Sequence, residues 1–205
     1  MRKAEVKRKT KETDITVKLN IDGKGTSKID TGIGMLDHML ELFAFHGLFD
    51  LDIKAKGDLK VDIHHTNEDI GIVLGDAFKK ALGDNKGIKR FGSSSVPMED
   101  VVAEVTVDIS GRGHLSITGD IPPRIVRGAT ETITEGKLQF QDAEHFFEAF
   151  SSRSGINFNI ALRNRSDDIH TTLEPIFKAL GVALDQATQI DPRRKGVPST
   201  KGVID

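Results

Sequence analysis

Between residues 14 and 21, apolar and polar side chains alternate: Ile15, Val17, Leu19 and Ile21 against Asp14, Thr16, Lys18 and Asn20. This period of two predicts a strand with one buried face, and Asp22-Gly23-Lys24-Gly25 then offers turn residues for a hairpin. From residue 35 to 45 the spacing changes. Met35, Leu36, Met39, Leu40, Leu42 and Phe43 recur as one face of a helix, which Gly47 stops. Leu51, Ile53 and Ala55 alternate as a strand. A second helix is predicted over 66–82, with Ile70, Val73, Leu74, Ala77, Phe78 and Ala81 on one face and Gly83 as its stop. Further on, strands are predicted over 101–109, 115–121 and 156–162, and helices near 143–151 and over 172–188.

The second half therefore repeats the order of the first. Residues 64–78 (HHTNEDIGIVLGDAF) laid over 170–184 (HTTLEPIFKALGVAL), an offset of 106, match at seven of fifteen positions. An offset of 107 lays His38, Glu41 and Phe43 on His145, Glu148 and Phe150. The chain is read as an α+β protein with an internal duplication of one sheet-and-two-helix unit, the helices packed on one face of each sheet. The first unit is assigned to residues 1–92. The second, assigned to 93–205, carries a C-terminal tail and an inserted loop or hairpin over 124–141, rich in Thr, Gly and charge.

Composition narrows the function. Twenty-nine basic against thirty-one acidic residues give a net charge of -2, so nothing favours a nucleic-acid partner, and any cationic site must be local. Cysteine is absent, which excludes disulfides and thiolate metal sites. The charged first ten residues lead into no apolar run, so neither a leader nor a membrane partner is expected, and the protein is read as cytoplasmic.

The strongest chemical signal is His64-His65-Thr66-Asn67-Glu68 at a helix start. The i, i+3 and i, i+4 spacings put both imidazoles and the carboxylate on one side, a donor set suited to Mn, Fe, Co, Ni or Zn. A lone histidine there would be a solvated cap. The second copy has His170 and Glu174 at the same spacing, and recurrence favours a metal. His38, polar inside an apolar helical run, joins these candidates. His46, His114 and His145 lack partner spacing and are read as structural, although His145 occupies the position that His38 holds in the first copy. Cations near glycine or turns, Arg90, Arg112 and Lys201 with Ser199 in the tail, suit a phosphate. The run Arg193-Arg194-Lys195 is read as a nonspecific charge cluster.

Taken in order, Lys9-Thr10-Lys11-Glu12-Thr13, Leu36-Asp37-His38-Met39-Leu40, His46-Gly47-Leu48-Phe49-Asp50-Leu51, His64-His65-Thr66, Gly87-Ile88-Lys89-Arg90-Phe91-Gly92, Ser110-Gly111-Arg112, Phe177-Lys178-Ala179 and Ser199-Thr200-Lys201-Gly202 resemble the imidazoleglycerol-phosphate dehydratase family. The resemblance implies a duplicated fold like domain 2 of ribosomal protein S5. It implies a cytoplasmic hydro-lyase of histidine biosynthesis that converts imidazoleglycerol phosphate to imidazoleacetol phosphate with Mn2+, two ions per active site. The assembly implied is a homo-oligomer, 24 subunits built from trimers, with sites between subunits. Metal ligation would fall to His38, His64, His65, Glu68, His170 and Glu174, phosphate binding to Arg90, Arg112, Lys178, Ser199 and Lys201, and acid/base work to Glu12. A metal-held imidazolate would supply the electrons that expel an otherwise poor leaving group.

Two departures from the family pattern fall on ligands. Thr171 stands where a second-copy histidine is expected, and Asn159 where the pattern suggests one on the preceding strand; both would weaken a metal site. Asn159, Asp167 or Asp168 would then serve as oxygen ligands, favouring Mn over Zn. The alternative reading is a catalytically impaired relative that keeps the phosphate site and the assembly.

Overall fold

A computed structural model describes residues 1–123 and 138–204. Most of the expected insertion over 124–141 lies outside the described residues. Two four-stranded sheets and four long helices follow the duplicated order: β1 (Lys3–Lys9), β2 (Thr13–Asn20), β3 (Ser27–Asp30), α1 (Gly34–His46), β4 (Asp50–Gly57) and α2 (His64–Leu82), then β5 (Phe91–Met98), β6 (Val101–Ile109), β7 (His114–Gly119), α3 (Phe140–Ser154), β8 (Ile156–Arg163) and α4 (Ile169–Thr188).

The sheets have the same topology, β1-β2-β4-β3 and β5-β6-β8-β7, antiparallel except for the last pair of each, which is parallel. Period-two patterning fixes the register. Ile15, Val17 and Leu19 of β2 face Ala55, Ile53 and Leu51 of β4 on the buried side. The turn at Asp22 to Gly25 does not make the expected hairpin. β2 pairs with β1 and β4, and β3 joins the far edge parallel to β4. The turn instead redirects the chain across the sheet end, pinned by Asp50, which accepts from Lys24 N, Thr26 N and Oγ1, and Asn20 Nδ2 at 2.7–3.3 Å.

Each sheet packs its helices on one face, and the helical layers meet in the middle: α1 lies against α4 and α2 against α3. Phenylalanines fill this seam. Phe78 of α2 and Phe150 of α3 have ring centroids 5.2 Å apart, Phe43 of α1 sits 6.1 Å from each, and Phe158 of β8 is 5.0 Å from Phe150. All four are essentially inaccessible to solvent. Gly71 and Gly75 allow α2 to approach α3 closely, because a Cβ on Gly71 would lie 2.6 Å from the Phe146 carbonyl oxygen. The pairing is crossed: every helix of one unit takes its main helical neighbour from the other unit. Among the described residues, no helix is long and apolar enough to cross a membrane.

Candidate metal centre

The helices begin earlier than their apolar spacing predicts, at His64 and at Ile169, and so include the polar residues of interest. Asp62 and Asp168, equivalent under the 106 offset, accept the backbone N–H of His64 and His170 at 3.1 and 3.0 Å. Asp168 is the N-cap of α4, whereas at α2 the N-cap is Ile63 and Asp62, one residue earlier, reaches past it to the His64 N–H. Both contacts fix the first turns of α2 and α4, which carry the candidate ligands.

At the α1–α4 crossing, the donor atoms of His38, His170 and Glu174 all lie within 4.8 Å of one another. Glu174 Oε2 is 2.7 Å from His170 Nε2 and 3.6 Å from His38 Nε2, and the two rings meet edge to face. An ion that bonds N and O donors at about 2.0–2.2 Å spaces its ligands roughly 3–4 Å apart, so this triad fits one. Lys178, one turn further along α4, pairs with the other oxygen of Glu174. Burial would raise the Glu174 pKa, but hydrogen bonds from Lys178 and His170 outweigh it and hold the carboxyl below its ordinary range. His46 at the end of α1 is pushed down, first by burial and then by the charge of Lys178.

The α2–α3 crossing gathers a similar set of side chains, although among the described residues only the α1–α4 triad brings three donor atoms within 4.8 Å of one another. His64 Nε2 lies 3.4 Å from Glu68 Oε2, and the His64 ring meets that of His145, centroids 4.8 Å apart. Nothing near His145 in sequence has ligand spacing, which is why the sequence alone points to a structural role for it. In space it stands against His64 across the helix crossing, as His38 stands against His170. Its Nδ1 is buried with no hydrogen-bond partner among the described residues, an orphaned donor atom that an ion would satisfy. It also lines a cleft of about 630 Å³ between β7 and α3, with His114, Glu144, Glu148 and Ser151. The signal was the offset of 107 from His38.

His65 turns to the other side of the helix start, where Nδ1 lies 3.1 Å from Asp58 Oδ2. This hydrogen bond, helped by the charges of Glu12, Asp58 and Asp62, raises the His65 pKa. Glu12, in the β1–β2 turn, is exposed and near enough for its charge to be felt by that ring. Thr171, equivalent to His65, is buried, and its hydroxyl donates to Asp168 Oδ2 at 3.3 Å.

Asn159 requires a correction. Along β8, Ile156, Phe158, Ile160 and Leu162 are buried toward the helices, and Asn159 sits on the exposed face. The pleat directs its side chain away from the helical layer, so within the chain it cannot replace a ligand at either crossing. Asp168 is committed to its helix cap.

The anion-binding candidates lie in two places. Arg90 is held side-on by Asp108, with Nε–Oδ1 2.6 Å and Nη2–Oδ2 3.1 Å, and its Nη1 donates to the Pro198 carbonyl at 3.0 Å. It thereby anchors the tail in which Ser199 Oγ accepts the Lys201 N–H. Arg112 projects from the loop after β6, next to Gly111 at φ 84°. Lys178 is elsewhere, beside the α1–α4 triad.

The comparisons agree with this geometry. The family model described as imidazoleglycerol-phosphate dehydratase matches residues 31–184. A protein of that name from Thermoanaerobacter pseudethanolicus is 54% identical over 204 residues, 100% of both chains. Two crystal structures, an imidazoleglycerol-phosphate dehydratase from Staphylococcus aureus and IGPD from Pyrococcus furiosus in complex with (S)-C348, superpose with TM-scores of 0.76 each. They are 33% and 34% identical, cover 92% and 97% of this chain, and are themselves covered to 99%. With duplicated sheets, crossed helices and a histidine–glutamate metal group, the chain belongs to the imidazoleglycerol-phosphate dehydratase family, metal-dependent lyases of histidine biosynthesis.

Proposed function

We propose that this dehydratase works with Mn2+ held at the two helix crossings, by His38, His170 and Glu174 at one and by His64, Glu68 and His145 at the other, with His65 as a further ligand beside Glu12. The observation that carries the reading is the convergence of His38, His170 and Glu174, from helices in different units, to within 4.8 Å. A bound divalent ion would supply Lewis acidity toward a ring nitrogen of the substrate.

The remaining chemistry belongs to the chain. Glu12 on its exposed turn takes the proton from the carbon adjacent to the one that loses its hydroxyl and returns a proton during ketonisation. Arg90, Arg112, Ser199 and Lys201 hold the phosphate, with Arg90 offering the N–H groups that Asp108 and the Pro198 carbonyl leave free. Lys178 keeps Glu174 ionised and also serves as a phosphate contact reaching toward the α1–α4 site.

We place the protein in the cytoplasm as a homo-oligomer, 24 subunits built from trimers, with sites shared between subunits. Exposed Phe45 and Leu48 at the end of α1, and Phe91 and Ile190 near the tail, support an assembly that removes them from water. The test is turnover. Protein stripped by chelation should fail to convert imidazoleglycerol phosphate to imidazoleacetol phosphate, Mn2+ should restore it, and His170→Ala should not recover. Full activity of the stripped protein would overturn the metal reading.

A further inference from the structure

We propose that Asp58 is the positioning residue of His65, taking the Nδ1 proton and leaving Nε2 as the donor atom of the ring. The proposal rests on the reading of His65 as a metal ligand. β4 ends at Gly57, and a Cβ there would lie 1.9 Å from Thr66 Oγ1, so only glycine lets the strand end come so near the first turn of α2. That approach, closed by a turn in which Val61 N donates to the Asp58 carbonyl at 2.7 Å, sets the carboxylate beside the imidazole. One oxygen, Oδ2, lies 3.1 Å from Nδ1, and the other, Oδ1, is buried with no hydrogen-bond partner.

A carboxylate that only supported the loop would be expected to satisfy both oxygens with backbone N–H groups, as Asp50 does with one oxygen at the β2–β3 turn. Asp58 has instead a single partner for one oxygen, a ring whose tautomer it fixes. An imidazole that donates Nδ1–H to a carboxylate is more basic at Nε2 and loses rotational freedom, which raises its affinity for a metal.

The second unit shows the pair lost together. β8 ends at Arg163 as β4 ends at Gly57, an offset of 106, so Asn164 stands for Asp58 and Thr171 for His65. Asn164 Nδ2 donates to the Asp100 carbonyl at 2.9 Å, a loop contact unrelated to position 171. Where the imidazole is absent, so is its carboxylate.

The test measures equilibrium Mn2+ binding to chelator-stripped protein, by the electron paramagnetic resonance signal of free Mn2+, and melting of the metal-free form. His65→Ala should weaken binding, and Asp58→Ala should weaken it about 10- to 100-fold. Asp58→Asn, whose amide oxygen still accepts Nδ1–H, should fall between Asp58→Ala and the parent. In the His65→Ala background, Asp58→Ala should change nothing further. Asp58→Ala binding Mn2+ like the parent while His65→Ala binds poorly would overturn the proposal. So would an equal loss in the His65→Ala background, or a lower melting temperature with affinity intact. Unchanged binding in His65→Ala would instead overturn the ligand reading beneath it.

Discussion

His64 and His145 meet edge to face across the α2–α3 crossing, their ring centroids 4.8 Å apart, although 81 residues separate them in the chain. The relationship mirrors that of His38 and His170, 5.1 Å apart at the α1–α4 crossing. If each crossing holds an ion, the two should be separable. His145→Ala is expected to reduce bound Mn2+ from about two to about one per chain and to leave the His38 site filled; His170→Ala should do the converse. Elemental analysis of the dialysed variants reads this directly. An unchanged metal content in His145→Ala would remove it from the ligand set.

Helix spacing gives a second prediction. Gly71→Ala would gain roughly 1 kcal/mol in helix propensity, but its Cβ would sit 2.6 Å from the Phe146 carbonyl oxygen and 3.0 Å from the Ala149 Cβ, both on α3. Overpacking of this kind costs about 1–3 kcal/mol, and neither backbone nor Cβ can swing aside, so the clash wins. The melting temperature should fall by several degrees, and Mn2+ occupancy should fall with it as α2 and α3 part. A variant that melts higher than the parent would show that the interface gives more than its geometry allows.

At the anion-binding end, Arg90→Lys should raise KM for the phosphorylated substrate about tenfold, equivalent to about 1.4 kcal/mol, with a smaller effect on kcat. An ammonium cannot hold Asp108 side-on and reach the Pro198 carbonyl as well, so both the cation and the tail lose their place. Steady-state kinetics separates the parameters. An equal fall in kcat with KM unchanged would move Arg90 out of substrate binding.

Acid stability tests the β2–β3 turn. Hydrogen bonds, first from the Lys24 N–H and then from the Thr26 hydroxyl, hold the Asp50 carboxyl well below its ordinary value. Because the folded pKa is depressed, the stabilisation is complete above the ordinary carboxylate pKa and drains away as pH falls below it. Asp50→Asn should therefore melt lower than the parent near neutrality, with the gap narrowing in acid. A gap independent of pH between 7 and about 3 would mean that the charge of Asp50 is not what pins the turn.

The sequence made some of this plain and hid the rest for physical reasons. β2, β4, β6 and β8 are central strands whose buried faces alternate cleanly, and the helices bury a full stripe, so periodicity found them. β1, β3 and β5 are edge strands. With Ser93, Ser94, Ser95 and Pro97 in β5 and only four residues in β3, they have little apolar face to reveal. Among the candidate ligands, His64, Glu68, His170 and Glu174 stood out because helical spacing is local. His145 did not, because its partners belong to the other unit and no spacing along the chain records a crossing of helices. For Asn159 the sequence could not say which face of the sheet it takes; the pleat of β8 turns it to the exposed face, away from both crossings.

The crossed pairing of helices also bears on how such a chain could arise. A polypeptide of half this length would carry one histidine helix and one histidine–glutamate helix, but their histidines would not meet each other. It could complete a ligand set only by docking against a second copy of itself, which would yield two equivalent clusters. Joining two such genes end to end would preserve both clusters while freeing the copies to drift apart, and the threonine opposite His65 is a mark of that freedom.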